Sequence, residues 1–531
     1  MDMPAPAIER RAFLHVCALR DKMTEKKINN LSFQLFPCVF LSLMLLTGCV
    51  STNSSVDRSL GSLRVGDDPV ALQWSEDLKH SFYSKKLGLL ETGRVRMLSG
   101  DFVGSSTNFG AVIDSVIERT ENGPVIKVGD VGANVMAGTV TDDRTRAYNV
   151  PPYEFVEALH YQILNDIFMG KRDDALVEGR RAVFAQDAIA DKYGKDLAVQ
   201  NSGGTNSVAL GKVNDQMKAM DPVIELTRCS YENGLVWYLC GVLFELDHDQ
   251  ADASLSFRKS WELLPGNPYV LKDFLRLIRT QDQEAYKKAV ERSGVDPKTL
   301  VKPDSEIILL FDENFVPQRQ SVKIPIPVPG VNTLTSADFP MYVAPAYAPM
   351  AVEIRENGQS LGVSALALSV QSLAYRDLKE KMPGIVVRNV TRIGTRVAAQ
   401  AVANNANDYA KYGVMLFNAA SALINRADTR AWYTLPMSTQ LYRGGVAPGS
   451  HTLELRNPVT GYTLQIPVSV AQGETRLIWV ADLGGNARIV TASLNGKGAP
   501  TTFQVGGSLL SGYPAVTLPG GPRTLCGAAA N

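Results

Sequence analysis

The sequence predicts an α+β multidomain protein in which a helical half precedes a β-rich half. Two observations carry this prediction. Over residues 64–300 apolar residues recur at the spacing of a helix face, whereas after Pro303 they alternate with polar residues as in strands. The chain has 531 residues, of which 45% are hydrophobic, enough for two or more buried cores. We therefore expect a helical region at 64–300 and a β-rich region at 301–496.

The N-terminal segment has the pattern of a secretory signal. Lys26 and Lys27 form a basic patch ahead of an apolar run over residues 31–46, and small residues follow it. The run has 16 residues, shorter than the roughly 20 that a membrane-spanning helix needs. We predict a cleaved signal peptide over residues 1–48, with Met23 as the true start. A short membrane-spanning anchor is the alternative.

Cys49 directly follows Leu46, Thr47 and Gly48, and this arrangement resembles the lipobox of bacterial lipoproteins. The resemblance implies that Cys49 becomes the mature N-terminus and carries acyl chains such as palmitate, which hold the protein to a membrane. The next residue is Val50 rather than the Asp that favours retention in the inner membrane. The expected location is therefore the outer membrane, lipid-anchored and facing the periplasm.

The Ser-rich stretch after Cys49 predicts a flexible lipidated tether over residues 49–63. The chain carries 54 basic and 54 acidic residues, so its formal net charge is zero. A neutral chain has no overall field that attracts nucleic acid, and we set that class of partner aside.

Removal of the signal leaves Cys229, Cys240 and Cys526 beside Cys49. In the oxidising periplasm Cys229 and Cys240 can pair in a disulfide. In one continuous helix they would stand roughly 16 Å apart, too far for a bond, so the pairing needs a break near Asn233. The alternative is that Cys240 is a small buried apolar residue. The sequence leaves the role of Cys526 open.

The clearest repeat signal lies at residues 234–268 and resembles the tetratricopeptide consensus. Small residues there let two helices approach, and a proline ends the second helix. The repeat core is Trp237, Cys240, Gly241, Phe244, Ala253, Phe257 and Pro265. Two weaker frames precede it, one with Leu89, Gly93, Phe109 and Val112 and one with Leu159, Ala175 and Ala182. We expect an N-terminal tetratricopeptide-like α-helical solenoid, with a generic helical domain as the alternative.

The β-rich region is expected to be β-sandwich-like. Asn357-Gly358 predicts a hairpin turn, and Pro325 restricts its strand to a sheet edge or a loop arm. Pro448-Gly449 precedes a strand in which Leu453 and Leu455 alternate with polar residues. This pattern resembles the PEGA-type β-sandwich module, and the resemblance bears on the fold alone.

A helical insert at 365–426 interrupts this region. We predict that its first helix begins at Ala365 and ends at Pro383-Gly384, with two further helices after it. The tail at 497–531 is rich in Gly, Pro and Ala and is predicted to be disordered.

The insert carries three arginines at helical spacing, Arg388, Arg392 and Arg396. They form either an anion-binding stripe, for lipid head groups or cell-wall carboxylates, or a solvated helix face. We expect no metal, no cofactor and no catalytic residue. The Gly-x-Ser-x-Gly pattern at 358–362, with His451 after it, fits a hairpin better than an esterase elbow.

The order of features along the chain resembles a family of Gram-negative outer-membrane lipoproteins with tetratricopeptide-like repeats. This resemblance rests on three segments: Tyr153-Glu154-Phe155, Arg180-Arg181-Ala182 and residues 427–436, which read ADTRAWYTLP. Stacked helix pairs form surfaces that bind peptides or proteins, so with this location we expect a periplasmic protein-protein interaction scaffold in envelope or cell-wall assembly. The expected partner is an envelope protein such as a small lipoprotein or a cell-wall synthase activator. The alternatives are a peptidoglycan- or glycan-binding module and an unrecognised cell-wall enzyme.

Overall fold

The computed structural model describes residues 52–120, 123–126, 144, 146–201, 207–327, 335–343, 348–404, 426–496 and 499–512. The described residues from Val56 onward form one compact unit. Within the described residues, helices fill the N-terminal half and β-sheets the C-terminal half, which confirms the predicted α+β order. The predicted signal peptide and Cys49 lie outside the described residues. No helix in the described part is long and apolar enough to cross a membrane.

In the helical half most helices pack against a helix that is their neighbour in the chain. Two short 3-10 turns, at Lys218–Met220 and Pro297–Thr299, accompany them. The helices are α1 (Thr52–Val65), α2 (Asp68–His80), α3 (Lys85–Leu98), α4 (Phe102–Val116), α5 (Pro152–Phe168), α6 (Arg172–Asn201), α7 (Ser207–Met217), α8 (Asp221–Ile224), α9 (Gly234–Leu246), α10 (Gln250–Leu263), α11 (Pro268–Gln281) and α12 (Gln283–Ser293). A small hairpin, β1 (Ile117–Thr120) with β2 (Gly123–Ile126), follows α4.

Glycines set the close approach of helices in two of the predicted repeat frames. A Cβ on Gly241 of α9 would lie 2.9 Å from the Phe257 ring of α10. A Cβ on Gly93 of α3 would lie 2.6 Å from the Phe109 ring of α4. Each glycine precedes its phenylalanine by 16 residues, so the same sequence spacing produces the same contact twice. Both distances are too short for any residue larger than glycine without movement of the ring.

The predicted flexible tether is wrong for residues 52–63, because α1 covers them. Val56, Leu60 and Leu63 are buried on one face of this helix, at the i, i+4, i+7 spacing that an amphipathic helix needs. Asn486 donates to the carbonyl oxygens of Leu63 and Arg64, at 2.8 and 2.7 Å, and ties the end of α1 to the sheet. The Ser-rich composition obscured this short apolar pattern.

The β half contains two larger sheets and one separate hairpin. The strands are β3 (Glu306–Glu313), β4 (Arg319–Ile326), β5 (Thr335–Tyr342), β6 (Glu353–Glu356), β7 (Gln359–Val363), β8 (Ala365–Leu368), β9 (Ser438–Gly445), β10 (Gly449–Arg456), β11 (Thr463–Val470), β12 (Thr475–Asp482), β13 (Asn486–Ser493) and β14 (Thr501–Gly506). The six-stranded sheet has the order β14-β13-β12-β3-β9-β8, and the four-stranded sheet has the order β11-β10-β6-β7. Among the strands of the described residues β4 pairs with β5 alone, as Pro325 predicts for a strand at an edge.

The central strand β3 is buried on both faces. Ile307, Leu309 and Phe311 join an apolar cluster with residues of β6, β10 and β11. Ile308 and Leu310 point to the opposite face and join the cluster that contains the helices. The six-stranded sheet therefore has the helical half on one face and the four-stranded sheet on the other. The Asn357-Gly358 hairpin is confirmed, with φ values of 48° and 80°.

The insert differs from the prediction at both ends of its first helix. Residues 365–368 form β8, paired with β9, and a single helix α13 (Val370–Asn404) then runs through Pro383. The predicted end at Pro383 is wrong because Leu378, Met382 and Val386 continue one buried face across it. That burial offsets the one backbone hydrogen bond that proline removes. The predicted third helix lies largely outside the described residues.

The predicted disorder of the tail is wrong for residues 501–510. β14 pairs with β13, and Leu509 is buried. Asp482 accepts hydrogen bonds from the Ser508 hydroxyl and the Leu509 amide at 2.6 and 2.7 Å. Partners from distant strands therefore order a segment whose composition alone indicates disorder. Residues 513–531 lie outside the described part.

Candidate functional site

The segment 427–436, called the connecting segment below, joins the two halves. Glu91 of α3 accepts hydrogen bonds from the backbone amides of Tyr433 and Thr434, at 2.7 and 3.2 Å, and from the Thr434 hydroxyl. Glu154 of α5 accepts from the Trp432 amide at 3.0 Å. Two helix carboxyl groups therefore replace the strand partners that this stretch of backbone lacks.

Burial shifts both carboxyl groups toward the neutral form. It raises the pKa of Glu91 to about 8, although the hydrogen bonds from the connecting segment oppose this shift. Burial likewise raises the pKa of Glu154, against hydrogen bonds from Tyr148 and Trp432. Each carboxyl group accepts hydrogen bonds from backbone amides and hydroxyl groups of the protein itself, so we assign both a structural role.

A buried ion pair extends this contact to the centre of the six-stranded sheet. Arg94 of α3 lies 2.8 Å from Asp312 of β3, and both side chains are 1% exposed. Asp312 also accepts from Trp479 Nε1 at 3.0 Å and from the Thr439 hydroxyl at 2.7 Å. Arg94 stands over the Tyr161 ring at 4.2 Å. We call Glu91, Arg94, Glu154, Asp312 and the connecting segment the buried joint.

A second charge network links the best repeat unit to the same sheet. Arg443 of β9 contacts Glu306 of β3 at 2.6 Å and Asp273 of α11 at 2.8 Å. Glu245 of α9 pairs with Arg276 in the same cluster. Burial alone would raise the pKa of Glu245, but the bonds and charge of Arg276, together with Arg443 and Lys302, lower it to about 2. Each buried cation of this network has a carboxylate partner.

A polar cleft of about 210 Å³ lies where α13, β4, β5 and the connecting segment meet. Seven cationic and three anionic side chains line it, so its described lining has a net charge of +4 in a chain that is neutral overall. We call it the basic cleft. Its cations are Arg146, Arg319, Lys381, Arg388, Arg392, Arg426 and Arg430, and its carboxylates are Asp338, Asp377 and Asp428.

The cations of the basic cleft are held by several elements. Arg430 makes a bidentate pair with Asp428, at 2.9 and 2.6 Å, and also donates to the Tyr83 carbonyl at 2.7 Å. Lys381 lies 2.6 Å from Asp377. Arg392 is 4% exposed and donates to the Asn389 side chain at 3.2 Å. These bonds fix the direction of side chains that would otherwise be mobile.

Arg319 is also buried, at 9% exposure. Its Nε donates to the Tyr342 hydroxyl at 2.9 Å, and its Nη2 lies 3.7 Å from Asp377 Oδ2. Within the described residues, Nη2 makes no hydrogen bond. Burial would lower the pKa of Arg319, but the surrounding tyrosines and Asp377 outweigh it and raise that pKa well above its usual value. The guanidinium is therefore charged, and among the described residues its Nη2 is held by the ion pair with Asp377.

The arginine stripe predicted from the sequence divides in the structure. Arg388 and Arg392 line the basic cleft, whereas Arg396, one turn further along α13, is not among the lining residues. A solvated helix face is wrong for Arg392, which is buried. The four-residue spacing of the arginines in the sequence predicted that Arg388 and Arg392 lie on one face of a helix. Arg146, Arg319 and Arg430 come from three other segments, and no local pattern could have found them.

The remaining predicted residues are placed as follows. The repeat core surrounds the α9–α10 contact, and its members are buried apart from Pro265 in the turn after α10. Cys240 is a free buried thiol whose Sγ donates to the Gly179 carbonyl at 3.5 Å. Asn233 caps the start of α9, and Cys229 lies in the loop before it, outside that helix, in a disulfide with a cysteine other than Cys240. The possible Cys229–Cys240 disulfide is therefore wrong, and the alternative, a small buried Cys240, is confirmed.

His451 hydrogen-bonds to Glu356 at 2.6 Å and to the Ala447 carbonyl at 2.7 Å, and Ser360 lies opposite Arg355 in the hairpin. The described residues contain no group of three or more His, Cys, Asp or Glu side chains arranged to hold a metal ion. No protein-family model matches the chain, and no curated protein matches it. The candidate site therefore depends on the geometry and charge of the basic cleft.

Proposed function

We propose that the protein is an outer-membrane lipoprotein, anchored through Cys49 and facing the periplasm, that acts as a protein-protein interaction scaffold in the cell envelope. In this proposal the helical half is a tetratricopeptide-like solenoid that recruits an envelope protein. The two larger sheets form a sandwich-like support. Stacked helix pairs offer extended surfaces of the kind that bind peptides and proteins.

The observation that carries this proposal is the pair of buried charge networks between the halves. Arg94 pairs with Asp312, and Arg443 pairs with Asp273 and Glu306, so helices α3 and α11 are each tied to the central strands. A partner bound to the helices would be held in one orientation relative to the sheets. Fixed orientation is what a scaffold supplies, whereas a flexible tether between the halves would lose it.

The test is crosslinking in intact cells, followed by affinity purification and mass spectrometry. We expect the wild-type chain to recover one or a few envelope proteins reproducibly. Cys49→Ser should leave the precursor unprocessed and release it from the outer-membrane fraction, with loss of those partners. Recovery of no protein partner would contradict the scaffold function, and unchanged processing of Cys49→Ser would contradict the anchor.

A glycan-binding module is the second candidate, and the basic cleft is the observation that favours it. Cell-wall peptides carry carboxylates, and clustered arginines bind carboxylates through paired hydrogen bonds. Co-sedimentation with purified cell-wall sacculi separates the two proposals. Sedimentation that Arg388→Gln abolishes would favour glycan binding, and a protein that stays in the supernatant would exclude it.

A further inference from the structure

We propose that the turn between α2 and α3 contacts a membrane, and that it inserts two aromatic side chains into the head-group region of an anionic lipid surface. Residues 79–86, which read KHSFYSKK, form this turn with its flanking residues, and we call them the aromatic-basic loop. The inference goes beyond the scaffold function, and its test is separate from that of the Cys49 anchor. It rests on the exposure of the aromatic pair, the charges beside it and the bonds that hold it in place.

The aromatic pair of the loop is exposed to solvent. Phe82 is 82% exposed, more than any other large apolar side chain in the described part of the chain, and Tyr83 is 42% exposed. Their rings pack edge to face, with centroids 5.4 Å apart. A single exposed apolar residue needs no explanation, so the charges around this pair decide what it contacts.

The charges of the loop are positive. Lys79, Lys85 and Lys86 flank the aromatic pair, and no carboxylate lies within residues 79–86. Lys79 pairs with Glu76 at 2.6 Å. Lys85 is exposed and Lys86 is half-buried, and neither forms an ion pair within the described residues. The loop therefore presents apolar rings beside two lysines that the protein itself does not neutralise.

Both of these lysines stand at the start of α3, which has no acidic residue in its first turn. The start of a helix carries a partial positive charge, so cations there reduce helix stability and anions increase it. Burial also lowers the pKa of Lys86, because water solvates its charge less well. Lipid phosphates next to the lysines would offset both costs.

Bonds to the rest of the chain fix the backbone of the loop. The Tyr83 carbonyl accepts from the Tyr148 amide and from the Arg430 side chain, each at 2.7 Å. A Cβ on Gly88 would lie 2.3 Å from the Lys79 backbone nitrogen, so α2 and α3 meet closely at the base of the loop. The aromatic pair is therefore carried by a fixed backbone, and its insertion orders few additional groups.

The composition of the loop favours a lipid surface over a protein. Protein interfaces are enriched in aromatic residues but depleted in lysine, whereas surfaces that bind membranes combine aromatic residues with lysine. At a bilayer the Phe82 ring enters the acyl boundary, the Tyr83 hydroxyl stays among the head groups, and the lysine ammonium groups reach the phosphates. Two rings and two lysines bind weakly by themselves, so the loop would act with an anchor such as Cys49 and fix the orientation of the folded chain.

The test measures lipid contact at the loop in the full chain. Phe82→Trp keeps an aromatic side chain at this exposed position and adds its emission to that of the five native tryptophans. Lipids brominated in their acyl chains quench tryptophans that touch them. We expect the added emission to be quenched in vesicles of phosphatidylcholine with phosphatidylglycerol, and much less in phosphatidylcholine alone. Added salt should reduce the quenching, because salt screens the lysines.

Two matched controls isolate the rings and the charges. Tyr462 is 53% exposed in a turn, residues 457–462, that has no charged side chain, so the emission added by Tyr462→Trp should stay unquenched. Lys85→Gln in the Phe82→Trp chain should lower the ratio of inserted to free loop about fivefold, the effect of one lysine near an anionic membrane. Lys287→Gln removes the same charge at an exposed position of α12 and should stay within about twofold. Circular dichroism checks that each variant folds.

Vesicle flotation measures attachment of the chain separately from insertion of the loop. A chain that floats while the emission added by Phe82→Trp stays unquenched overturns the loop proposal and leaves the Cys49 anchor intact. Equal quenching with Phe82→Trp and Tyr462→Trp, or equal quenching with and without phosphatidylglycerol, would also overturn it. So would a photo-crosslinker at Phe82 that joins the loop to a protein rather than to lipid in intact cells.

Discussion

The buried joint and the basic cleft hold their charges in opposite ways. In the joint, Arg94 is 1% exposed and lies against Asp312, so the buried charge is neutralised by the protein itself. In the cleft, cations outnumber carboxylates by seven to three in the described lining. A buried pair stabilises a fold only when each partner is present, whereas charges that line an open cleft are partly screened by water and salt. The same residue type therefore forms one buried pair in the joint and a cluster drawn from several elements in the cleft.

The largest expected effect is in the joint. Asp312→Asn leaves the Arg94 guanidinium buried without its counter-charge, and this should lower the free energy of unfolding by about 3–5 kcal/mol. Urea denaturation followed by circular dichroism measures it. Glu284→Gln is the control, since Glu284 and Lys288 form an exposed pair and the loss should stay below about 0.5 kcal/mol. Equal losses in the two variants would remove the distinction between the joint and ordinary surface pairs.

The second prediction concerns the pH dependence of the joint. The folded-state pKa of Glu91 is about 8, above the ordinary value of 4.5, so the folded chain holds this proton more tightly than the unfolded chain does. The stability from this group is fully present below about pH 4.5 and is lost as pH rises toward 8, by up to about 1.4 kcal/mol per pH unit. Urea midpoints at pH 5, 6, 7 and 8 measure the slope. Glu91→Gln cannot ionise and should flatten it, whereas an unchanged slope would show that other groups control it.

The sequence predicted the joint and the cleft to different degrees. Some features depend on residues that are near one another in the chain, so the local sequence pattern was enough to predict them. They are the helix-to-sheet order, the Asn357-Gly358 turn and the close helix contact at Gly241. The distinctive 427–436 segment was recognised, but Glu91 and Glu154, which bind its backbone, lie hundreds of residues away. Residues 52–63 and 501–510 likewise become ordered through distant partners.

Within the cleft, the four-residue spacing showed Arg388 and Arg392, because a helix repeats every 3.6 residues. Arg319 lies on an edge strand and Arg430 in a loop, and only the tertiary fold brings them beside α13. At Pro383 the local rule was wrong. It predicted the end of a helix, but buried side chains before and after the proline keep the helix continuous. Local rules therefore predict elements better than they predict where charges converge.

The third prediction concerns one buried carboxylate of the basic cleft. Asp377 is 1% exposed, pairs with Lys381 and lies 3.7 Å from Arg319 Nη2. Asp377→Asn removes the negative charge that these two cations share, so the free energy of unfolding should fall by about 2–4 kcal/mol. Urea denaturation followed by circular dichroism measures it. A fall below about 0.5 kcal/mol, the size expected for an exposed pair, would show that neither cation depends on Asp377.

The smallest effect is expected at a lining residue of the cleft. Arg388 is partly exposed there, so water and salt screen its interactions. Arg388→Gln should then change the free energy of unfolding by less than about 1 kcal/mol, and added sodium chloride should reduce the difference between the variant and the wild-type chain. Urea denaturation at low and high salt measures both changes, with Arg396→Gln as the matched control. A loss as large as that of Asp312→Asn would mean that Arg388 is bound in a balanced network like that of the joint, and the contrast between the two regions would be wrong.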